Sequence, residues 1–154
     1  MNALADFMSA DHARLDALLD RIVRDDGSID EDAYAPFRRG LLTHIGIEER
    51  ILFPEIRSRG GVVAVVEKLH HDHALIAALL VPPPTKWEID LIKAVLADHN
   101  PLEEGPGGLY EQIGDEVVDR VRAFPEVPVA PHSDTPHLRY SIELLLKRAG
   151  RSAR

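Results

Sequence analysis

Twice in this 154-residue chain a histidine is followed four residues later by a pair of glutamates: His44-Ile45-Gly46-Ile47-Glu48-Glu49 and His99-Asn100-Pro101-Leu102-Glu103-Glu104. A helix turns about 100° per residue, so positions four apart point within about 40° of each other. Histidine and glutamate at that spacing aim an imidazole nitrogen and a carboxylate oxygen at one volume. Each stretch is followed by a matching pair, Leu52-Phe53 and Leu109-Tyr110, as in an internal repeat. His44 and Glu48 also interrupt a stripe that is otherwise apolar through Tyr34, Phe37, Leu41 and Ile51 or Leu52. A carboxylate on a core stripe has to be protonated, paired or bound to a cation. Arg14, Arg21, Arg38, Arg39, Arg50 and Lys68 fall mostly off the core stripes, so a metal cation answers the need better.

His12 and His73 occupy the inward sides of two further amphipathic segments, so four helices each offer a nitrogen to a common axis. Four imidazoles (His12, His44, His73, His99) and two carboxylates (Glu48, Glu103) suit iron, manganese or zinc, and carboxylates from different helices can bridge two metals. Such a site leaves coordination positions open to a small ligand. His70, about 60° from His73, is a candidate fifth nitrogen ligand, a partner to one, or a partly exposed residue on the flank of the helix. His71, about 160° from His73, is expected in solvent, and Glu49 and Glu104, about 140° from their histidines, as surface charges. His132 and His137 lie outside these segments. A ferritin-like site would need Glu-x-x-His on two helices, and only Glu67-Lys68-Leu69-His70 has that form. The chain lacks a phosphate-binding loop, a dinucleotide fingerprint and a nucleophile elbow.

Spacings of three and four between apolar residues, with no sustained alternation, predict an all-α fold: an up-down-up-down four-helix bundle with an additional C-terminal helix. The first helix runs from about Asn2 to Arg24. The second starts near Asp30, an N-cap, with Pro36 delaying its start and Pro54 kinking its end. The third repeats Val62, Val66, Leu69, His73, Ile76 and Leu80 until Pro82-Pro83-Pro84, and the fourth opens on a Thr85/Glu88 capping box. Pro101 and the Gly105-Pro106-Gly107-Gly108 stretch, read as a loop insertion, disturb its end. Residues 1–124 form the bundle, and residues 125–154 comprise a proline-rich loop, a helix starting at Thr135-Pro136 and a basic tail expected to fray from Arg148.

Composition narrows the chemistry. There is no cysteine, which removes thiolate ligands, iron–sulfur clusters and thiol nucleophiles, whereas histidine occurs eight times. The formal charge of -8 argues against a nucleic-acid partner or an anionic membrane surface. No apolar run approaches the roughly 18 residues of a spanning helix, and no basic segment precedes an apolar one at the start of the sequence, so a cytoplasmic location is expected.

Together, Asp11-His12, His44-x-x-x-Glu48-Glu49 with Leu52-Phe53-Pro54, Asp72-His73 with Ile76 and Leu79-Leu80, and His99-x-x-x-Glu103-Glu104 with Leu109-Tyr110 resemble the hemerythrin-like, or HHE cation-binding, family over about residues 3 to 112. The resemblance implies a left-twisted four-helix bundle holding two non-haem iron ions. His12, His44, His73 and His99 would be terminal ligands and Glu48 and Glu103 would bridge. Oxygen-carrying members place two histidines one turn apart on the third helix; here His70 lies three residues before His73. The expected function is binding of dioxygen, peroxide or nitric oxide at open iron positions, in sensing, iron handling or stress response. The alternatives are a metal-free interaction bundle whose polar core sets helix register, and a di-iron enzyme that decomposes peroxide.

Overall fold

The computed structural model describes residues 2–61 and 63–151; Val62, expected on the third helix, and residues 152–154 of the basic tail lie outside the described residues. The elements are α1 (Ala3–Ile22), α2 (Glu31–Ile47), a π-helical turn (Glu48–Leu52), α3 (Phe53–Ser58), α4 (Val63–Leu79), α5 (Lys86–Glu104), α6 (Leu109–Ile113), a 3-10 turn (Asp115–Val117), α7 (Val118–Arg122) and α8 (Pro136–Arg148). The described residues contain no strand, only an isolated antiparallel bridge between Val23 and Ile29 that closes the α1–α2 turn. The fold is the expected helical bundle with an extra C-terminal helix.

Helix starts follow local chemistry. The first backbone N–H groups of a helix lack intrahelical partners, and short polar side chains satisfy them. Asn2 accepts from the Ala5 N–H, Asp30 from the Asp32 and Ala33 N–H groups, and Thr135 from the Leu138 N–H. At α5 the Thr85 N–H donates to the Glu88 carboxylate at 2.7 Å. Pro36 does not delay α2, which begins five residues earlier at Glu31. The carbonyl left without a donor belongs to Asp32, an exposed residue, so the lost bond costs little. Ahead of Pro54 the chain forms the π turn, in which the Phe53 N–H donates to the Glu48 carbonyl five residues back. That wider turn accommodates a proline that cannot donate, and single π turns often mark functional positions.

The apolar interior divides into two clusters. One gathers Leu15, Leu19, Phe37, Leu41, Ile76, Leu79, Ile92 and Val95, and α8 joins it through Ile142 and Leu146. The other gathers Leu4, Met8, Leu52, Phe53, Val66, Leu69 and Tyr110. Along α1, α2 and α4, a histidine stands at the junction, between Met8 and Leu15, after Leu41, and between Leu69 and Ile76. A polar layer thus crosses the bundle between two hydrophobic ends. At the C-terminal tail Arg151 is held, by an ion pair with Asp98 at 2.6 Å and a backbone bond to Leu146.

The glycine-rich stretch after α5 is a tight return and not a loose insertion. A Cβ on Gly108 would stand 2.6 Å from the Glu103 carbonyl oxygen and 2.8 Å from that of Gly105. The close approach carries the chain directly from Glu103 to Tyr110. Gly108→Ala must push α6 off the end of α5, and a loss of about 1–3 kcal/mol is expected in chemical denaturation.

Candidate metal centre

All six inward residues proposed from sequence converge. His12 lies on α1, His44 on α2, Glu48 on the π turn, His73 on α4, and His99 and Glu103 on α5; all are buried, and both glutamates are 0% exposed. Glu103 keeps its place despite Pro101, which α5 absorbs within its last turn while continuing to Glu104. His44 and Glu48 approach at 3.4 Å and His99 and Glu103 at 3.2 Å, as the four-residue spacing requires. Across helices, Glu48 lies 3.4 Å from the His73 Nε2, Glu103 lies 3.4 Å from the His12 Nε2, and the Nε2 atoms of His73 and His99 face each other at 3.2 Å.

Each imidazole turns its Nε2 inward and its Nδ1 to a carboxylate on another helix. His12 Nδ1 meets Glu104 at 2.9 Å, His44 meets Asp11 at 2.8 Å, His73 meets Glu49 at 2.9 Å, and His99 meets Asp72 at 3.0 Å. A carboxylate on one ring nitrogen fixes the tautomer that leaves the other nitrogen's lone pair free, the usual preparation of a metal-binding histidine. Arg14 and Lys68 brace Asp11 and Asp72 from outside at 2.7 and 3.0 Å.

This corrects the expectation that Glu49 and Glu104 are surface charges. In a bundle each helix touches two neighbours, so a long side chain 140° from its own histidine still reaches the neighbouring helix's histidine. Two adjacent Asp-His pairs, Asp11-His12 and Asp72-His73, were the available sequence signal for the other two partners. Each aspartate serves the histidine of the next helix and not its chain neighbour. His70 is not brought into the cluster and is no ligand: its side chain is 55% exposed on the flank of α4, where it pairs with Glu49 at 2.7 Å. His71, His132 and His137 are exposed.

Tyr110 completes the site; along the sequence it stands out only as the aromatic that follows the second repeat, in the place of Phe53. It is fully buried, its hydroxyl donates to Glu48 at 3.1 Å, and it lies 3.2 Å from the His12 Nε2 and 3.3 Å from the His44 Nε2. The Phe53 ring stacks on His73 with centroids 5.3 Å apart and 8° between planes, closing the opposite side.

The donor atoms themselves test the fit to a cation. Among the described residues, Glu48 Oε1 and both Glu103 oxygens are buried without a hydrogen-bond partner, and neither glutamate pairs with a lysine or arginine. A buried carboxylate left that way is costly, and a cation removes the cost. Two overlapping groups are close enough to hold metal ions: Glu48, His73, His99 and Glu103, and His12, His44 and Glu103. The donors are nitrogen and oxygen only, which suits first-row transition metals.

Without a metal, protons compensate part of this charge. Burial pushes His12 and His73 down, but nearby carboxylates outweigh it, Glu103 and Glu48 for His12 and Glu48 and Glu49 for His73, lifting both to about 9. Burial likewise opposes the rise at His99, which Glu103 and Asp72 carry to about 10. Burial, then the charge of Glu103, raises the Glu48 carboxyl. Because these histidines sit above their ordinary 6.5, their stabilising contribution is complete below about pH 6.5 and disappears as pH rises through about 9 to 10. Metal-free protein is therefore expected to melt lower at pH 10 than at pH 7. Metal uptake must displace these protons, and proton release in weakly buffered solution is expected to be larger at pH 7 than at pH 10.

The Hemerythrin HHE cation binding domain model matches residues 3–106. Searches of curated proteins and of solved structures return no match. The match covers more than half of the chain and contains all six converging histidines and glutamates, so the chain belongs to the hemerythrin HHE cation-binding family.

Proposed function

We propose that this protein holds two non-haem iron ions and uses their open positions to bind a small ligand: dioxygen, peroxide or nitric oxide. The carrying observation is the pair of buried glutamates with unpartnered oxygens, enclosed by four inward Nε2 atoms whose rings are each anchored by a carboxylate. His12, His44, His73 and His99 would be the terminal ligands, with Glu48 and Glu103 between the two ions. When bound, iron supplies coordination positions for an added ligand and one-electron redox chemistry.

The chain's own part is to orient and to exclude water. Asp11, Glu49, Asp72 and Glu104 hold the rings, and Leu15, Leu41, Ile76 and Leu96 line the cavity over them together with Asp16 and Asn100. No helix among the described residues is long and apolar enough to cross a membrane.

Elemental analysis of protein purified without chelator, and again after anaerobic iron(II) loading, tests this reading. Two metals per chain are expected. Uptake below about one per chain after loading would overturn it. The metal-free interaction bundle has only imidazoles to meet Glu48 Oε1 and the two Glu103 oxygens, at 3.2–3.4 Å and without a well-aligned hydrogen bond to any of them, which favours the metal reading.

A further inference from the structure

The two halves of the site repeat each other. Asp11, His12, His44, Glu48 and Glu49 correspond in order to Asp72, His73, His99, Glu103 and Glu104, and their pairings correspond as well. Asp11 holds His44 as Asp72 holds His99, and Glu49 holds His73 as Glu104 holds His12. The aromatic that follows each repeat also meets the corresponding ring, Phe53 stacked on His73 at 8° and Tyr110 tilted against His12 at 43°, with centroids 5.3 and 5.8 Å apart. Here the two halves differ in chemistry. The His12/His44 half has a hydroxyl where the His73/His99 half has only a ring.

That hydroxyl stands where a donor belongs. Atoms about 2.1 Å from one cation are about 3.0 Å apart at octahedral corners and about 3.4 Å apart at tetrahedral ones. Tyr110 Oη is 3.2 Å from the His12 Nε2 and 3.3 Å from the His44 Nε2, within this range for both, and 3.1 Å from Glu48 Oε2. A core tyrosine that needed only to satisfy its hydroxyl would require a single acceptor. Glu48 supplies one, and the approach to two converging Nε2 atoms is left over. The group His12, His44 and Glu103 is also the poorer of the two, with three donors against four. Tyr110 lies beyond residues 3–106, the span of the family match, and the Gly105–Gly108 return delivers it.

Building on the two-metal reading, we propose that the Tyr110 oxygen is a metal ligand, completing the His12, His44 and Glu103 group and making the two cation positions chemically unequal. On coordination the O–H bond breaks, the oxygen–metal bond forms and the proton passes to solvent. Each group then has four donors, the His12/His44 group with a phenolate oxygen where the His73/His99 group has the Glu48 carboxylate.

The test is optical and vibrational, on the full chain loaded with iron(II) under argon and then oxidised by air. A phenolate bound to iron(III) gives a visible charge-transfer band with resonance-enhanced tyrosine ring modes. Wild type is expected to show both, and growth on ring-deuterated tyrosine is expected to shift those modes. Tyr110→Phe removes one oxygen from a buried ring and is expected to keep both irons while losing the band entirely. Tyr34→Phe, away from the site, is expected to keep it. Iron-loaded wild type without the band, or with a band that Tyr110→Phe leaves in place, overturns this assignment alone. A chain that takes up no iron overturns it together with the two-metal reading.

Discussion

Glu103→Gln is expected to reduce metal content from two ions per chain to below one, measured by elemental analysis after loading and desalting. Glu103 is common to both groups of closely spaced donors, and with Glu48 it is one of the two carboxylates proposed to lie between the ions. Its oxygens lie 3.4 Å from His12 on one side and 3.2 Å from His99 on the other. Glutamine preserves volume and leaves the four rings in place, but it removes the negative charge the two cations would share. It also puts an amide N–H₂ where a lone pair has to face metal. A graded series follows from the same geometry. His12→Ala is expected to cost one ion, because His12 belongs to only one of the two groups. Asp72→Asn leaves every donor present and loosens only the His99 ring, so affinity is expected to fall about 10- to 100-fold with stoichiometry intact. Full retention of two tightly held ions by Glu103→Gln would show that the carboxylate is not shared.

Removing metal from the loaded protein is expected to lower its melting temperature by roughly 8–16 °C. A ligand present at about a thousand times its dissociation constant stabilises the folded state by about 4 kcal/mol, and a chain of this length shifts by roughly 2–4 °C per kcal/mol. The metal-free chain keeps its two apolar clusters and is expected to stay folded, since protonated His12, His73 and His99 offset the buried carboxylates. That compensation fails as pH rises through about 9 to 10, while the metal-bound state needs those rings deprotonated. The gap between loaded and stripped protein is therefore expected to widen from pH 7 to pH 9, the opposite of a site whose ligands must be protonated. Matched thermal melts by circular dichroism, with chelator and after reconstitution, check both the size and the sign. A metal-free register-setting core predicts no change on chelation at either pH.

Much of this site could be read along the chain, because its informative relationships lie within single helices. His44 with Glu48 and His99 with Glu103 share a direction through the geometry of one helical turn, and their replacement of apolar residues on a core stripe marks them as inward. His12 and His73 follow from the same stripes, and the caps at Asp30, Thr85 and Thr135 from the unpaired N–H groups of any helix start. Relationships between helices were not legible in this way. Which carboxylate braces which ring depends on the axial rotation and stagger of neighbouring helices, and the two apolar clusters set those by packing above and below the polar layer. Glu49 and Glu104 therefore turn out to hold His73 and His12, and Asp11 and Asp72 to serve the helix after their own.

Tyr110 shows the limit most clearly. On its own segment it is one more apolar-stripe residue at the position matching Phe53. Only the close return at Gly105 and Gly108, and the insertion of α6 beside α1, put its hydroxyl within 3.3 Å of two imidazoles and a carboxylate. Sequence by itself determined which side chains face inward, since a helix repeats its direction every turn whatever surrounds it. Tertiary structure alone decided what those side chains meet, because distances between helices depend on how whole faces pack and no local spacing encodes them.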